Sequence, residues 1–460
     1  MFGQDTIAAI ATAPGEAAIG VIRISGPSAI AVAAAIFHPA SGADVARLAS
    51  HRVYLGEIRV PDTGEPVDQV LLSLFRAPRS YTGEDVVEIS GHGGPVPLRR
   101  ILSLVLAQGA RLAHPGEFTS RAFLNGKLDL AQAEAVMDVV AARTDRSLGV
   151  AIRQLEGRLS QVVRSARDAL LPLVAHIEAT IDFPEDVPEM PRADLRAQIE
   201  AAQETISRLL ASAHAGRIYR EGARVVIAGR PNVGKSSLLN ALLREDRAIV
   251  TEIPGTTRDV IEESANIRGI PIRAIDTAGI REPGDPIEAI GVQRTLEQVR
   301  AADLILVVLD ASQTLHEADQ EVFHLVHGEP CVIVANKCDL PVRLDLNGIR
   351  AEFPAAPIVQ VSAVQGTGLD QLDEQIAETL LGSGVELGNQ ALVTSARHQA
   401  ALDRARMALQ RACETLDQDL PLELATTDLR DALDALGEIT GDTVSEAILA
   451  EIFGRFCIGK

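Results

Sequence analysis

An eight-residue run in the middle of the chain has the residue types and spacing of a phosphate-binding loop. Residues 229–236 read GRPNVGKS and lie between a strand-like run and a helix-like run. Glycines at both ends let backbone N–H groups approach phosphate oxygens, and the lysine and serine that follow suit the β- and γ-phosphates and a magnesium ion. The pattern predicts a nucleotide site that includes Asn232, Val233, Gly234, Lys235, Ser236 and Ser237, with Ser236 as a magnesium ligand.

Three further motifs follow at the ends of strand-like runs, in the order typical of a guanine-nucleotide site. They are DTAG at 276–279, NKCD at 336–339 and SA at 362–363. The DTAG aspartate suits the outer magnesium shell and its glycine the γ-phosphate. The NKCD aspartate can accept from both N–H donors on the guanine edge, and adenine would leave it unpaired. We therefore predict GTP as the nucleotide, bound also by Asp276, Thr277, Ala278, Gly279, Asn336, Lys337, Asp339, Ser362 and Ala363.

The segment between the phosphate-binding loop and DTAG has the composition of a switch loop. It reads VTEIPGTTRD, with two adjacent threonines flanked by glycine and proline. One of these hydroxyls would complete the magnesium shell when the γ-phosphate is present. We expect nucleotide contacts from Thr251, Glu252, Ile253, Pro254, Gly255, Thr256 and Thr257. Ile280 follows DTAG where a Ras-like enzyme has the glutamine that orients water, so hydrolysis must be completed by another group.

Length, composition and charge limit the class of protein. The 460 residues suggest several domains, and 47% hydrophobic with 23% charged residues is typical of a globular chain. A net charge of −20 repels phosphate backbones, so a role on nucleic acid needs a local basic site or a basic partner. The four cysteines form no C-x-x-C pair, and the start of the chain has no basic leader. We expect a cytoplasmic protein without a membrane segment.

The periodicity of apolar residues predicts a multidomain α/β protein. Residues 1–120 alternate β-type runs with Gly and Pro turns, which indicates an α+β domain. An apolar stripe from Leu148 to Ile181 predicts one long helix, which Pro172 should bend or interrupt. Residues 217–384 alternate strands and helices, as in a Ras-like doubly wound P-loop domain. We expect this domain to be inserted into a helical domain of residues 121–216 and 385–460.

The motifs at both ends of the chain, taken with those in the middle, resemble one family. The runs are RISG, YTGEDVVEISGHGG, GEFTSRAFLNGKLDLAQAEAV, GRPNVGKS, TEIPGTTRD, DTAGIRE, NKCD and the terminal FCIGK. Together they resemble the MnmE (TrmE) family of bacterial tRNA-modification GTPases, which is of the TrmE-Era-EngA type. The resemblance extends along the whole chain, whereas other small GTPases share only the middle motifs.

The resemblance implies a GTPase that potassium-dependent dimerisation of the GTPase domains activates. Its potassium ligands correspond to Asn232, Thr251, Ile253 and Thr256, and its magnesium ligands to Ser236 and Thr257. A potassium ion there would offset developing phosphate charge much as an arginine finger does. The catalytic residues would be Lys235, the water-orienting Glu288 and, as a candidate for switch contacts, Arg281. A solvated carboxylate at a helix start is the alternative for Glu288.

The resemblance also implies a one-carbon cofactor in the N-terminal domain. This domain resembles the folate-binding fold of the glycine-cleavage T protein, so it would bind 5-formyl- or methylene-tetrahydrofolate and hold a homodimer. The family positions for the ligand correspond to Arg23, Glu88, Lys127 and Lys460. A basic pair suits the carboxylates of the folate tail. Cys457 is either a thiol nucleophile near the one-carbon unit or an inert buried cysteine.

The resemblance implies modification of carbon 5 of the wobble uridine of certain tRNAs. A flavin-dependent partner similar to MnmG (GidA), in a heterotetramer or larger complex, would act with the chain to install an aminomethyl or carboxymethylaminomethyl group. A ribosome-assembly GTPase that binds RNA as a switch is the alternative, although the chain has neither a KH-like GXXG module nor a basic tail. A plain folate-dependent methyl-transfer enzyme would leave the nucleotide motifs unexplained.

Overall fold

The computed structural model of the chain describes residues 5–243, 263–276, 298–382 and 390–460. The chain forms two compact units, Met1–Met137 with Leu433–Lys460, and Asp138–Ala432. The three domains expected from the sequence divide the chain at other residues and stay a prediction. Within the described ranges, none of the helices combines the length and the apolar character that crossing a bilayer needs.

The first unit is built on a seven-stranded sheet with the order β3-β4-β5-β6-β2-β1-β7. Its strands are antiparallel to their neighbours, except that β1 and β7 run parallel. The bounds are β1 Ile7–Ile10, β2 Ala17–Ser25, β3 Phe37–Pro39, β4 Arg52–Arg59, β5 Pro66–Phe75, β6 Val86–Gly93 and β7 Arg111–Leu112. Alternate residues such as Val70, Leu72 and Leu74 are buried, because successive side chains of a strand point to opposite faces.

Helices complete the first unit, and the first two of them cover one face of its sheet. They are α1 Ala29–Ile36, a 3-10 turn Val45–Arg47, α2 Pro95–Ala107, α3 Glu117–Leu124 and α4 Leu130–Ala141. The first two helices share an apolar core with the sheet through Ile30, Ala33, Leu98 and Ile101. The last helix of the chain, which comprises Glu446–Gly454, contributes Phe453 to a smaller cluster with Leu130 and Phe456.

Long helices form the flanks of the second unit. Their bounds are α5 Asp145–Leu155, α6 Arg158–Asp182, α7 Arg192–Ala211 and α8 Ala213–Glu221, followed late in the chain by Ala396–Asp417. The helix Leu422–Thr440 begins in this unit, and its residues from Leu433 onward belong to the first unit. The single helix expected over 148–181 is wrong in one respect: it breaks at Gly157, which has a left-handed φ of 82°, and continues through Pro172. Glycine adopts this conformation at little cost, so the chain reorients there.

The second unit also contains the predicted doubly wound sheet, which confirms the fold class. Six strands have the order β13-β12-β11-β8-β10-β9, all parallel except the antiparallel edge strand β9. Their bounds are β8 Ala223–Ala228, β9 Glu263–Ile267, β10 Ile270–Asp276, β11 Leu304–Asp310, β12 Cys331–Asn336 and β13 Ile358–Val361. Separate apolar clusters lie on the two faces. The helices around this sheet are α9 Lys235–Leu242, α10 Glu317–Val326, α11 Leu346–Glu352 and α12 Leu369–Leu381.

Candidate functional site

The predicted phosphate-binding loop connects β8 to the first turn of α9. Gly234 precedes the helix with a φ of 98°, and a Cβ atom there would overlap the side-chain nitrogen of Asn336. Only glycine meets both conditions, which explains its place in the motif. The Nζ of Lys235, a residue only 9% exposed, donates to the carbonyl oxygens of Gly229 and Arg230 at 2.9 and 3.0 Å. The loop therefore presents a helix N-terminus and a lysine, both suited to anionic phosphates.

Asn336 joins three of the predicted motifs. Its side-chain Nδ2 donates to the carbonyl oxygen of Val233 at 2.9 Å, and its Oδ1 accepts from the backbone N–H of Ala363 at 3.1 Å. The residue is 2% exposed, so both bonds lie away from water. The structure thus brings the phosphate-binding loop, the NKCD motif and the loop at 362–363 together at the carboxyl ends of neighbouring parallel strands, where open α/β sheets bind their ligands.

Lys337 and Asp339 extend from the end of β12. The Nζ of Lys337 donates to the carbonyl oxygen of Asn232 at 2.8 Å, and both residues have a φ of 65°. Asp339 is exposed, so its carboxylate can reach a base edge. Ser362 is 1% exposed, and its Oγ accepts from the backbone N–H of Gln365 at 3.2 Å, which shapes the loop beside Ala363.

Asp310 belongs to this site, and no motif of the sequence had identified it. Its Oδ2 accepts from the Nζ of Lys337 at 2.7 Å, and Asp310 is 4% exposed. Burial raises the pKa of this carboxyl, but hydrogen bonds from Lys337 and Ser312 outweigh burial, and the pKa is lowered overall. The available signal was a single carboxylate that ends an otherwise apolar strand, LILVVLD, at the carboxyl edge of a parallel sheet.

Part of the predicted nucleotide site lies outside the described ranges. Asp276 ends β10, and its backbone pairs in register with Ile227 of the loop-bearing strand β8. The residues that lie outside the described ranges are Thr251, Glu252, Ile253, Pro254, Gly255, Thr256, Thr257, Thr277, Ala278, Gly279, Arg281 and Glu288.

The chemistry of the remaining donors fits the two expected cations. Ser236 and Ser237 are exposed in the first turn of α9, and Asn232 is exposed within the phosphate-binding loop. Hydroxyl, carboxylate and amide oxygens are hard ligands of the kind that magnesium prefers, and potassium takes the same donor atoms.

A second group of predicted residues meets in the first unit around Arg23. The Nε of Arg23 lies 2.8 Å from Oε1 of Glu88, and its NH1 donates to the carbonyl oxygen of Gly459 at 3.2 Å. The guanidinium lies over the rings of Tyr81 and Phe118, with its carbon 5.4 and 5.6 Å from their centroids. Burial, followed by the charge of Arg23, lowers the pKa of Lys460. Arg23, Glu88 and the C-terminal segment therefore form one cluster, in which an arginine is already paired with a carboxylate.

The other two predicted residues of this region have separate contacts. Lys127 donates from Nζ to the carbonyl oxygen of Pro78 at 3.2 Å. The thiol of Cys457 is exposed, so the buried alternative for this cysteine is wrong. Its carbonyl oxygen accepts from the backbone N–H of Lys460 at 3.3 Å, which turns the end of the chain back toward Arg23. Whether the thiol reacts stays a prediction.

A half-buried charge cluster beneath β1 was not predicted. Glu117, which is fully buried, accepts from the NH2 groups of Arg111 and Arg121 at 2.7 and 2.9 Å. Asp5 accepts from the same two arginines at 2.8 and 2.7 Å. The hydrogen bond from Arg111 is the largest influence on the pKa of Asp5, which falls to about 2. These ion pairs contribute to stability only while both carboxylates remain ionised.

Comparison with known proteins covers the whole chain. A family model described as the GTP-binding protein TrmE N-terminus matches residues 6–127, and one described as the MnmE helical domain matches residues 130–457. Curated relatives named tRNA modification GTPase MnmE include one from Geobacillus kaustophilus, 48% identical over 99% of both chains. A second, from Heliobacterium modesticaldum, is 51% identical over 99% of both chains.

Solved structures are similar to part of the chain. Aquifex aeolicus Era bound to GDP.AlF4- is 32% identical, covers 40% of this chain and 66% of its own, and has a TM-score of 0.29. The G domain of the T. maritima FeoB iron transporter is 26% identical over 34% of this chain and 98% of its own, with a TM-score of 0.26. On the strength of the family models and the full-length relatives, the chain belongs to the MnmE family of tRNA modification GTPases.

Proposed function

We propose that the chain hydrolyses GTP in the course of modifying carbon 5 of the wobble uridine of certain tRNAs. GTP binding and hydrolysis are supported by one pair of hydrogen bonds. Through these bonds Asn336 links the phosphate-binding loop to the loop at 362–363. Three motifs converge at one edge of the sheet, which a chance match of any single motif would not produce. The proposed role in tRNA modification rests on full-length similarity to relatives named tRNA modification GTPases.

In this proposal the nucleotide is recognised at both ends. Backbone N–H groups of residues 229–236 and the Lys235 ammonium receive the phosphates. Asp339 accepts from the guanine edge and rejects adenine, because adenine would leave the carboxylate unpaired. Ser236 and Thr257 hold the magnesium ion, which neutralises charge on the phosphate oxygens.

Hydrolysis needs groups that replace the missing glutamine. Asn232 with the oxygens of Thr251, Ile253 and Thr256 holds a potassium ion, which supplies positive charge near the phosphate that is transferred. Glu288 orients the attacking water, and Arg281 contacts the switch. Pairing of two GTPase domains assembles these parts, and the cycle of pairing and release changes the pose of the helical region.

The N-terminal domain supplies the carbon in this proposal. Arg23, Lys127 and Lys460 are the basic residues for the carboxylates of a methylene- or formyl-tetrahydrofolate tail, and Glu88 suits the N–H edge of the pterin. The paired arginine and carboxylate at 2.8 Å support the assignment, since both are held in place before a ligand arrives. The same domain holds a homodimer, and Cys457 acts as a thiol near the one-carbon unit.

Partners complete the reaction. A flavin protein similar to MnmG joins the homodimer in a heterotetramer or larger complex. This partner makes most of the contacts with tRNA. The net charge of −20 supports a basic partner face, because the chain itself repels a phosphate backbone. The complex works in the cytoplasm.

The decisive experiment measures wobble-uridine nucleosides by mass spectrometry in cells that lack the protein. We expect the modified uridine to disappear and to return when the wild-type gene is supplied. Lys235→Ala should fail to restore it because GTP is not turned over. Cys457→Ser should fail while retaining GTP hydrolysis in vitro. Normal wobble nucleosides in the deleted cells, with accumulated ribosomal RNA precursors instead, would favour the ribosome-assembly alternative.

A further inference from the structure

Asp310 ends the central strand β11, which lies between the loop-bearing strand β8 and the NKCD strand β12. Its buried carboxylate accepts four hydrogen bonds. The donors are Nζ of Lys337 at 2.7 Å, the backbone N–H and Oγ of Ser312 at 3.0 and 2.6 Å, and Nε2 of Gln313 at 3.2 Å. A carboxylate with this many hydrogen-bond donors is fixed in one orientation, so the side chains that donate to it are also held in place.

Two of these donors connect Asp310 to the phosphate-binding loop. Lys337 also donates to the carbonyl oxygen of Asn232 at 2.8 Å. Gln313, through Oε1, accepts from NH2 of Arg230 at 2.8 Å. Each link has a single intermediate residue, and the two links reach the loop two residues apart. Asp310 is therefore joined to the loop at two points, each through one intermediate residue.

We propose that Asp310 is a positioning residue for the nucleotide site, which acts by fixing Lys337 and, through it, the backbone of the phosphate-binding loop at Asn232. This inference rests on the proposed GTP-binding function. Asn232 and Lys337 both have left-handed φ values, which non-glycine residues adopt at a cost. The bond from Nζ of Lys337 to the Asn232 carbonyl joins these two turns, and the negative charge of Asp310 keeps the ammonium in place.

This role requires the negative charge of Asp310 as well as the shape of its side chain. Nζ of Lys337 faces two oxygen acceptors, of which only the carboxylate is anionic. Charge-assisted hydrogen bonds are about twice as strong as neutral ones. Asp310→Asn would keep the side-chain volume and one hydrogen-bond acceptor but lose the ion pair with Lys337. Lys337 would then exchange between conformations, and the loop would lose the hydrogen bond that fixes its backbone at Asn232.

The test compares Asp310→Asn with Asp303→Asn in the full-length chain. Asp303 directly precedes the same strand at its opposite end, where it pairs with Arg217 at 2.5 Å and accepts from the backbone N–H of Arg224 at 2.8 Å. The strand separates the two carboxylates by roughly 20 Å. Asp303→Asn therefore removes a partly buried ion pair from the same strand without reaching the nucleotide site.

The measured quantity is the dissociation rate of a fluorescent GDP, with the melting temperature recorded alongside. Asp310→Asn should speed dissociation about tenfold, as expected for a lost charge-assisted bond. Asp303→Asn should lower the melting temperature and leave dissociation within about twofold of wild type. Equal dissociation rates for wild type and Asp310→Asn would overturn the proposal, as would an equal increase in both variants. A wild-type chain that binds no GDP would overturn the proposed function itself.

A double-mutant cycle with Lys337→Met shows whether Asp310 acts through Lys337. Methionine cannot donate to either acceptor, so Asp310→Asn should change GDP dissociation by less than about twofold in that background. Additive effects of the two substitutions would overturn the assigned route. Should Asp310→Asn fail to fold, Ser312→Ala replaces it: loss of its 2.6 Å hydrogen bond to Asp310 should speed GDP dissociation severalfold. An unchanged rate in Ser312→Ala would then overturn the proposal.

Discussion

The hydroxyl of Thr144 donates a 2.7 Å hydrogen bond to the carbonyl oxygen of Gly269. Thr144 is the N-cap of α5, where its Oγ1 also accepts from the backbone N–H of Ser147 at 3.1 Å. Gly269 lies in the tight turn between β9 and β10, the hairpin that lies in sequence between the predicted switch loop and the DTAG motif. One side chain thus caps a helix and holds the tip of this hairpin, and NH1 of Arg143 adds a bond to Oγ of Ser264 at 3.1 Å.

Thr144→Val should destabilise the second unit by about 2 kcal/mol, because it removes a helix cap and leaves the Gly269 carbonyl without this donor. Thr144→Ser, which keeps the hydroxyl, is the matched control and should lose much less. Urea denaturation followed by circular dichroism gives the free energies of unfolding. Hydrogen exchange should quicken in the hairpin amides of the valine variant, and unchanged exchange there would show that the bond does not hold the hairpin.

Acid should weaken the first unit through the charge cluster beneath β1. Hydrogen bonds from Arg111 and Arg121 lower the pKa of Asp5 from 3.8 to about 2. Burial raises the pKa of Glu117. Hydrogen bonds from Arg111, the backbone N–H of His114 and Arg121 lower this pKa by more than burial raises it, so the net shift is also downward. A carboxylate with a lowered folded-state pKa stabilises the fold above its unfolded value and loses that contribution as pH falls through the folded value.

The melting temperature should therefore fall as the pH is lowered from about 4 toward about 2. The melting temperature of Asp5→Asn should already be lower than that of wild type at neutral pH. It should also change less than the wild-type melting temperature between pH about 4 and about 2. Asp62→Asn, in the exposed turn between β4 and β5, is the control and should follow wild type. Differential scanning calorimetry measures both, and identical pH profiles for wild type and Asp5→Asn would contradict the role of the cluster.

Asp339→Asn should move the nucleotide preference from GTP toward xanthosine triphosphate. The amide offers a donor to the second carbonyl of xanthine and no longer accepts both guanine N–H groups. We expect GTP affinity to fall by at least about a hundredfold, measured by isothermal titration calorimetry with each nucleotide. Asp345→Asn, which alters only the cap of α11, should bind GTP as wild type does. Unchanged GTP binding by Asp339→Asn would contradict the guanine assignment.

Replacing potassium by sodium should slow GTP hydrolysis markedly, because the larger cation is expected to match the oxygen cage at Asn232. Asn232→Ala should hydrolyse GTP slowly in both salts, so that the ratio of the two rates approaches one. Phosphate release at constant ionic strength is the assay, with chloride as the common anion. A wild-type rate that is indifferent to the cation would remove Asn232 from this role.

Local motifs were predictable because their chemistry lies within a few consecutive residues. The phosphate-binding loop needs only the spacing of residues 229–236, and the doubly wound sheet follows from short apolar runs such as LILVVLD. The break between α5 and α6 was placed at the wrong residue. The sequence predicts that Pro172 bends or interrupts one long helix, whereas the helix breaks at Gly157, where a left-handed conformation costs least, and α6 continues through Pro172.

The family, the nucleotide motifs and the fold class could be predicted from the sequence, since each is encoded in short stretches of residues. Which distant residues meet depends on how the chain folds. Arg23 reaches the carbonyl of Gly459 across 436 positions of sequence, and Asp310 reaches Lys337 across 27. No periodicity or spacing encodes such pairs. They form because the folded chain brings its end beside β2 and the end of β12 beside the end of β11, and burial then favours a partner for each charged group.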